Sequence, residues 1–549
     1  MAALLASVES FTSDETRALD PYFTNTTRPV FALRNLPETV KGALFARYSR
    51  SAKSLRRLFL DEFLQEIGAH PTSDGKIATH VKEEHAAQLY MRVLGEYGDD
   101  SVAQLGGAHL ACEGVSNVQT TVLEWGRLMA YLEQSTRYVP YTDRPEGRWK
   151  YHIPAELDRM PVRDLYVRTL DAAFEIYARS IPALETHFRA KYPKSPDDSD
   201  RVYRSVIRAK ALDTLRGLLP AATQSNVGLF GTGQAYEALL LRMFAHPLEE
   251  VRACAGLILT ELREVIPAFV SRVDQPARGG RWIEYLSETR RAFRQAAGSA
   301  IAGVPADDRP EVMLTDFDPE GEIKVVAAAM YDAATLPDDQ LLRIARSLSP
   351  DDRTRLLHAY AGVRGNRRHK PGRAFERTSY RFDILSDYGA FRDLQRHRLL
   401  TIDWQPLDTR HGYNEPAALE EAGALEDWRL VMERSAELYD ALVRQGLTEV
   451  APYGVAMAYR IRFYMQLNAR EALHMIELRT APQGHPAYRR ICQAMHQAIA
   501  DVAGHRAIAD IMTFADHSTV ELERLQAERN MERKRLNLSP STASTRQET

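Results

Sequence analysis

The chain is short of cysteine and has no long uncharged apolar run. Three cysteines, Cys112, Cys254 and Cys492, stand far apart among 549 residues and form no CxxC pair, which excludes a disulfide framework and a cysteine-based zinc site. We therefore expect a reducing compartment. Because no uncharged apolar stretch reaches about 18 residues, the sequence predicts no membrane span. Residues 1–7 have no basic segment, so we expect no signal peptide and a cytoplasmic protein.

An excess of charge of one sign is also missing. Lys and Arg number 71 against 74 Asp and Glu, which gives a formal charge of −3. This balance argues against a protein that coats nucleic acid by bulk charge, and it leaves room for a local basic pocket. The sequence has no GxGxxG followed by a suitable acid, no GxxxxGK[ST], no HExxH and no GxSxG. The common signatures thus assign no reaction, and we predict no metal site.

Helical periodicity dominates what is present. Strand-like alternation is clearest at residues 378–385. The Ala-, Gly- and Pro-rich stretch 294–310 predicts a linker near mid-chain. A charged helix is expected from about Val520, followed by a Ser- and Thr-rich disordered tail. The length suggests two to four domains or two large repeats.

The two halves share an order of features that favours a tandem repeat. In the first half, Pro220 precedes a predicted long helix that reaches Arg242, and a His-Pro dipeptide follows. In the second half, Pro452 precedes a predicted helix that reaches Arg479, again followed by His-Pro. The Pro-to-Arg spacings are 242 − 220 = 22 and 479 − 452 = 27, so the match requires a short insertion. The alternative is a coincidence of two helical hairpins.

Several polar clusters are candidates for ligand binding, and each has an ordinary structural explanation. Residues 395–398 (Gln-Arg-His-Arg) place two guanidiniums beside an imidazole, a set that binds phosphate or an anionic ring. A solvated basic helix face has the same composition. On the predicted helix 459–479, Arg470 and His474 share a face beside Asn468. That face suits either a ligand pocket or a surface stripe.

Further clusters lie in the first half. Glu133, Ser135, Arg137 and Tyr138 suit a phosphorylated, hydroxylated ligand, and a Ser/Thr-rich helix end explains them equally well. Arg216 and Arg242 are also candidates for ligand binding, and the alternative is that both are ordinary surface arginines. The glycine-rich stretch 228–233 lies within the predicted helical hairpin. We interpret it as a kink or close helix packing rather than as a phosphate loop.

Together these clusters resemble one family, the flavin-dependent thymidylate synthases. The second half resembles the family's flavin-binding residues, with an Arg-His-Arg signature, an upstream Phe-Glu element and a later helix, at Arg396, His397, Arg398, Glu376, Asn468, Arg470, His474 and Arg479. The first half resembles its N-terminal and nucleotide-binding elements, at 43–49, Ser101, Arg127, Glu133, Ser135, Arg137, Arg216 and Arg242. Among these, the resemblance assigns Ser101 to cofactor binding. The resemblance covers residues 35–250 and 320–500.

The departures from the family pattern are nearly complementary. The first half has Trp125 and Gly126 where Arg-His is expected, and glycines at 231 and 233 in place of Asn-x-Arg. The second half has Trp404, Pro406 and Asp408 for Glu, Ser and Arg, with Thr448 at the expected phosphate arginine. We therefore predict one composite site, in which the first repeat holds mostly nucleotide and the second mostly FAD. Decay of both halves is the competing hypothesis.

The resemblance implies an α+β fold, with two repeats that each contain a small antiparallel sheet flanked by helices. We predict repeats at residues 1–300 and 301–519 and a charged helix with its tail at 520–549. Since single-repeat members form tetramers, a homodimer of the fused chain is expected to imitate that assembly. Membrane partners are excluded, and nucleic acid is disfavoured.

The implied reaction is reductive methylation of dUMP to dTMP, in which NADPH reduces FAD and methylenetetrahydrofolate donates the carbon. Arg242 is the first choice and Arg479 the second for stabilising negative charge on the uracil ring. Ser135 is assigned to binding, because no adjacent base would activate it as a nucleophile. Two alternatives stay open: a flavin enzyme for another uracil-type acceptor, and a non-catalytic flavin- or nucleotide-binding paralogue.

Overall fold

The structure, a computed structural model, describes residues 9–64, 103–520 and 522–538. It divides into two compact units that are each assembled from separate segments. Unit 1 comprises residues 1–113, 126–133 and 226–304, and unit 2 comprises residues 114–125, 134–225 and 305–549. The predicted division into sequence domains at residues 300 and 519 stays a prediction.

Helices make up most of the described residues. In chain order they are Ser13–Leu19 (α1), Glu38–Tyr48 (α2), Leu55–Leu58 (α3), Asn117–Leu123 (α4), Arg163–Lys191 (α5), Asp200–Leu215 (α6), Gly233–Phe244 (α7), Glu249–Val265 (α8), Arg281–Ile301 (α9), Gly321–Ala329 (α10), Asp338–Ser347 (α11), Pro350–Ala361 (α12), Tyr388–Gln395 (α13), Ala418–Glu421 (α14), Leu425–Arg444 (α15), Ala469–Arg479 (α16), Pro486–Asp501 (α17), Arg506–Ile511 (α18) and Leu525–Leu538 (α19). Within the described part of the chain, no helix is long and apolar enough to cross a membrane.

The strands form two small sheets. They are Gly107–Ser116 (β1), Met129–Glu133 (β2), Gln224–Thr232 (β3), Val312–Phe317 (β4), Ser379–Asp387 (β5), Leu400–Trp404 (β6) and Arg460–Asn468 (β7). One sheet has the order β1-β3-β2 and the other the order β4-β5-β7-β6. Pairing is antiparallel between β2 and β3 and throughout the second sheet. The predicted α+β class, with a small sheet and helices in each repeat, is confirmed.

The predicted helix over residues 459–479 is wrong in its first half. The structure has strand β7 there, followed directly by helix α16. Along β7 the apolar residues Ile461, Phe463, Met465 and Leu467 are buried at every second position. This period of two is the strand period, and β7 lies between β5 and β6 at the centre of its sheet.

The first half contains the same error. Strand β3 and helix α7 replace the predicted long helix between Pro220 and Arg242. The glycine-rich stretch 228–233 therefore lies on a strand and at a helix start, although its role in close packing holds for Gly233. A Cβ added at Gly233 would lie 2.5 Å from the Phe269 side chain, too close for any other residue without a shift.

The predicted linker at residues 294–310 is only partly a linker. Helix α9 continues to Ile301, and exposed irregular chain follows before β4. Alanine and glutamine favour helix strongly enough to carry α9 into the Gly-containing segment. The predicted strand at residues 378–385 is confirmed as β5, and the predicted charged C-terminal helix is confirmed as α19.

Each repeat contains two strand–cap–helix units at matching positions. Ser116 between β1 and α4 accepts a hydrogen bond from the Gln119 backbone N–H, as Asp387 between β5 and α13 accepts one from that of Ala390. Thr232 and Asn468 cap α7 and α16 in the same way. A short polar side chain at this position satisfies a free N–H of the first helical turn. The caps therefore define the correspondence between the repeats.

The two repeats meet inside unit 2 along a two-fold-like seam. The Ala222 N–H donates to the Tyr453 carbonyl at 3.0 Å, and the Ala458 N–H donates to the Gly217 carbonyl at 3.0 Å. These bonds exchange under a constant offset, since 458 − 222 = 453 − 217 = 236. Pro220 pairs with Ala456 at the centre of the seam. Such reciprocal contacts are the mark of an isologous interface.

This seam corrects the alignment of the repeats around the prolines. Pro220 corresponds to Ala456 and not to Pro452. With the same offset, Arg216 corresponds to Pro452, and Thr448 corresponds to Leu212 and not to Arg216. The conclusion that the second repeat lacks this arginine is unchanged. The error arose because prolines were matched by identity, whereas the backbone pairing defines the register.

Candidate functional site

A buried ion pair holds Arg137, one of the predicted nucleotide-binding residues. The Nε and Nη2 atoms of Arg137 donate to the two carboxylate oxygens of Asp213 on α6, at 2.8 and 2.7 Å. Its Nη1 donates to the Tyr488 hydroxyl on α17 at 2.9 Å. Burial alone lowers the pKa of Arg137, but Asp213 outweighs it and raises that pKa overall. Arg137 is therefore a fixed cation with a bidentate carboxylate partner.

Arg216, a second predicted nucleotide-binding residue, also lies against carboxylates. It follows α6 and donates from Nη1 to the Asp393 carboxylate on α13 at 3.1 Å, with Asp387 at 3.9 Å. Gly389 makes this approach feasible, since a Cβ there would lie 3.0 Å from the guanidinium of Arg216. Arg216 and Asp393 are 5% and 8% exposed. We call Arg137, Asp213, Arg216 and Asp393 the arginine–aspartate network.

Asp393 is the electrostatic centre of this network. Burial raises its pKa, but four guanidiniums together lower it below the ordinary aspartate value, so Asp393 is ionised; they belong to Arg216, Arg396, Arg137 and Arg479. Two of these arginines come from the first repeat and two from the second. Residues from both halves of the chain are thereby brought around one buried carboxylate in unit 2.

The predicted flavin-type residue His397 has a defined tautomer. Its Nδ1 lies 3.0 Å from a Glu471 carboxylate oxygen, and its Nε2 accepts a hydrogen bond from Arg479 Nε at 3.0 Å. Because a carboxylate only accepts, the proton is on Nδ1. Burial, and next the charge of Arg479, lower the pKa of His397 well below its usual value. Neutral His397 therefore orients Arg479.

Arg479 and Arg137 share a second neighbour. Both guanidiniums lie over the Tyr488 ring, at 5.5 and 5.7 Å from its centroid. An aromatic face stabilises a nearby cation. Tyr488 thus connects an arginine of the first repeat with one of the second.

The other flavin-type residues surround Glu471. Asn468 accepts from the Glu471 N–H, and Arg470 donates to the Pro371 carbonyl at 2.9 Å and to Glu376 at 3.3 Å. The rings of His474 and His397 are 5.7 Å apart in an edge-on arrangement. Burial lowers the pKa of His474 to about 4.

The Arg-His-Arg run ends near a further buried carboxylate. Arg396 Nε lies 3.9 Å from Glu124, which also accepts from Arg392 at 2.8 Å. Arg398 is exposed. The side chain of Glu124 follows α4, so this contact again joins the two repeats. Arg396 and Arg398 consequently have different surroundings, since Arg396 is half-buried and Arg398 is exposed.

The cluster of His397, Glu471 and His474 has metal-ligand composition, with its ligating atoms within 4.8 Å of one another. A metal on Nδ1 of His397 would require a proton on Nε2. That proton would face the N–H of Arg479 instead of an acceptor. The hydrogen bonding therefore favours a neutral histidine that positions Arg479. The prediction of no metal site stays a prediction.

The remaining predicted residues are divided between unit 1, unit 2 and the part of the chain outside the described residues. Arg127, Glu133 and Arg242 belong to unit 1, and Ser101 lies outside the described residues. Arg242 lines a cavity of about 630 Å³ together with Arg272, and burial lowers its pKa. Ser135 belongs to unit 2, where its Oγ accepts from the Arg137 N–H at 3.2 Å.

Sequence reasoning missed Asp213, Asp393, Glu471 and Tyr488. Asp213 precedes Arg216 by three residues, and Tyr488 follows the second His-Pro dipeptide by two residues. These spacings are signals that an inspection of the motif flanks would have found. Asp393 and Glu471 had no such signal, because their partners are distant in the sequence.

Comparison with known proteins identifies the family. The family model described as thymidylate synthase complementing protein matches residues 47–268 and 313–504. This chain belongs to that family. The two matched regions confirm the predicted tandem repeat and the predicted class, a flavin-dependent thymidylate synthase-like methyltransferase.

Two relatives match this chain over nearly their full length, and a third matches part of it. A protein of Chlamydia pneumoniae described as a UPF0159 protein is 38% identical, over 96% of this chain and 99% of its own. A Thermoplasma acidophilum protein of the same description is 30% identical, over 89% and 97%. A flavin-dependent thymidylate synthase of Clostridium tetani is 24% identical, over 36% of this chain and 74% of its own.

Among solved structures, the UMP/dUMP methylase PolB of Streptomyces cacaoi, bound with 5-Br dUMP, is 20% identical to this chain. The match covers 36% of this chain and 94% of that one, with a TM-score of 0.30. A similarity at this level carries no argument about the present fold. The family assignment rests on the sequence model and the full-length relatives.

Proposed function

We propose that this chain is an FAD-dependent enzyme that reductively methylates the uracil ring of a dUMP-type acceptor, with methylenetetrahydrofolate as carbon donor and NADPH as reductant. The observation that carries the proposal is the meeting of arginines from the two repeats: Arg137 and Arg479 both lie over the Tyr488 ring, and Arg216 donates to Asp393 on α13. On this proposal, residues of one repeat make good the motif losses of the other, as the composite-site hypothesis requires.

Arg479 is the residue we propose to act on the uracil ring. Its Nε is held by neutral His397, which leaves the Nη atoms to face a ligand, and its position is further set by Tyr488. A guanidinium placed there stabilises negative charge that develops on the ring. Arg242 was the first choice from sequence. We now prefer Arg479, since it lies in the same unit as Arg137 and Arg216.

The residues proposed for FAD fit an anionic, planar cofactor. Arg398 and Arg470 together with Lys370 act electrostatically on Glu471, so the region around Glu471 is rich in cations. The imidazole of His474 is neutral at pH 7 and offers a flat, uncharged surface. Guanidiniums suit a pyrophosphate and neutral rings suit a flavin. When bound, FAD supplies the hydride chemistry, and the protein supplies position and electrostatics.

The test is the visible spectrum of the full chain with FAD, before and after dUMP, followed by NADPH oxidation with methylenetetrahydrofolate. We expect bound flavin and turnover that depends on the acceptor. Arg479→Ala should lower kcat/KM by about 100-fold or more, with flavin affinity unchanged within about threefold. Arg506→Ala, an exposed arginine paired with Asp501, is the matched control and should retain activity. A chain that binds no flavin would refute the proposal.

A further inference from the structure

The cavity of about 630 Å³ in unit 1 lies against a face of α7 that the proposed reaction does not use. Gln234, Glu237, Ala238 and Arg242 line it, and their spacing of three and four residues places them on one side of the helix. Small-molecule sites have volumes of about 300–1,000 Å³. The cavity is therefore large enough for a ligand of its own.

This face of α7 is the first repeat's counterpart of the flavin-type face of α16. The helix caps set an offset of 468 − 232 = 236 between the repeats. That offset matches Gln234 with Arg470 and Ala238 with His474. An amide and a methyl group therefore stand where the second repeat has the guanidinium and the imidazole proposed for FAD.

Positive charge in the cavity comes mainly from outside α7. Arg272 and Arg278 lie in the segment between α8 and α9, and with Arg242 they place three guanidiniums on the wall. Among the lining residues that the structure describes, Glu237 is the only acidic one, and it accepts a hydrogen bond from Arg272 at 3.1 Å. The wall has a formal surplus of 3 − 1 = 2 positive charges, which favours a ligand with two negative charges.

The segment that holds these arginines is tightly folded around Gly279. The Gly279 N–H donates to the Arg272 carbonyl at 3.1 Å. A Cβ at this position would lie 1.8 Å from the Val273 carbonyl oxygen, so only glycine fits. Arg272 is further held by Glu237. The cationic wall is thus formed before any ligand arrives, which lowers the entropy that binding costs.

Arg242 contributes a desolvated cation. Burial lowers its pKa, and the neighbouring Tyr131 offsets only part of that effect. An anion in the cavity would stabilise the charged guanidinium, since an opposite charge favours the ionised form. The direction of this pKa shift therefore agrees with the charge of the wall.

Helix α9 adds an aromatic and apolar wall. Trp282 and Leu286, one turn apart, line the cavity together with Ala238 and Leu241 of α7. Trp282 is 58% exposed, so part of its ring is open to a ligand. Planar heterocycles stack on such a ring. Guanidiniums and an indole in one cavity suit a ligand that combines an anion with a flat ring.

We propose that this cavity is a second ligand site of the chain, which binds a planar heterocycle with two negative charges and does so without flavin. Two classes of compound in the proposed reaction have this chemistry: a nucleoside monophosphate, and a reduced folate with the two carboxylates of its glutamate. The site goes beyond the proposed function and does not depend on it, because the reaction proposed above uses none of the lining residues.

The experiment is ¹⁹F NMR of the full chain labelled with 5-fluorotryptophan. The chain has five tryptophans, and Trp282→Phe identifies the signal that reports on the cavity. dTMP and 5-formyltetrahydrofolate are titrated separately into the FAD-loaded chain. We expect at least one of them to shift the Trp282 signal until it saturates. A shift with dTMP alone assigns the nucleotide, and a shift with the folate alone assigns the folate.

Arg278→Glu reverses an exposed charge of the wall and should weaken binding of that probe at least about tenfold. Arg291→Glu is the matched control. It reverses an exposed charge 291 − 282 = 9 residues beyond Trp282 on α9, about 14 Å along the helix, where salt screens its effect. Affinity should then change by less than about threefold.

Three results would overturn the proposal. Neither probe moves the Trp282 signal at concentrations up to about 5 mM, or Arg278→Glu weakens binding no more than Arg291→Glu does. The third is a Trp282 signal that moves when FAD is loaded, which would make the cavity a flavin site. Acceptor-dependent NADPH oxidation, measured on the same preparations, tests the proposed function separately.

Discussion

The Arg137–Asp213 pair offers a quantitative test of the network, through a double-mutant cycle. Both side chains are about 10% exposed and joined by two hydrogen bonds. Truncating either one leaves the other charge buried and uncompensated, which costs about 3–5 kcal/mol. The second truncation removes that stranded charge. Arg137→Ala with Asp213→Ala should therefore cost less than the sum of the single variants, by about 2–3 kcal/mol.

The assay is urea denaturation of the wild type, both single variants and the double variant, followed by circular dichroism and tryptophan fluorescence. Burial of the pair predicts that the coupling energy persists at about 1 M salt, where exposed pairs are screened. The exposed pair Arg506–Asp501 gives the control cycle, with a coupling of at most about 0.5 kcal/mol. Costs that add within about 0.5 kcal/mol at Arg137 and Asp213 would refute the paired geometry.

Three further predictions concern acid stability, the flavin region and assembly. Burial lowers the pKa of His474 to about 4 and that of His485 to about 3, so below about pH 6.5 the unfolded chain binds more protons. Stability should be complete above that pH and fall toward pH 4, by at most about 1.4 kcal/mol per pH unit for each histidine; a flat urea midpoint between pH 7 and 4.5 would contradict this. Glu471→Ala should release His397 and weaken FAD binding by about tenfold, whereas Glu471→Gln should restore much of it, as measured by flavin fluorescence quenching. Light scattering should give a dimer of about 124 kDa, twice 62.1 kDa, because the internal seam already supplies one isologous interface; a tetramer would exclude that assembly.

The motif residues were predictable because each repeat keeps its signature within a short span. Trp125-Gly126-Arg127 was matched to Arg396-His397-Arg398 from sequence. The structure supports the match, since β2 and β6 begin at Met129 and Leu400, two residues after the respective runs. Helix α13 likewise matches α4. Local spacing is preserved by the strand and the helix that flank it.

The errors in secondary structure have a different origin. β7 and α16 follow one another without a turn, so a period of two changes to a period of 3.6 at Asn468. A single helical pattern fits residues 459–479 tolerably, and only the paired neighbours β5 and β6 make the first half a strand. Strand preference depends on such neighbours more than helix preference does.

By itself the sequence predicted the family and the tandem repeat, because these properties are written in residue identities at short spacing. Tertiary structure alone decided which charges meet. Asp213 and Asp393 come to Arg137 and Arg216 from positions 76 and 177 residues away. Ion pairing depends on distance and burial, and neither can be read along the chain. The same arginines that indicate a phosphate site in the sequence are neutralised by carboxylates once the chain is folded.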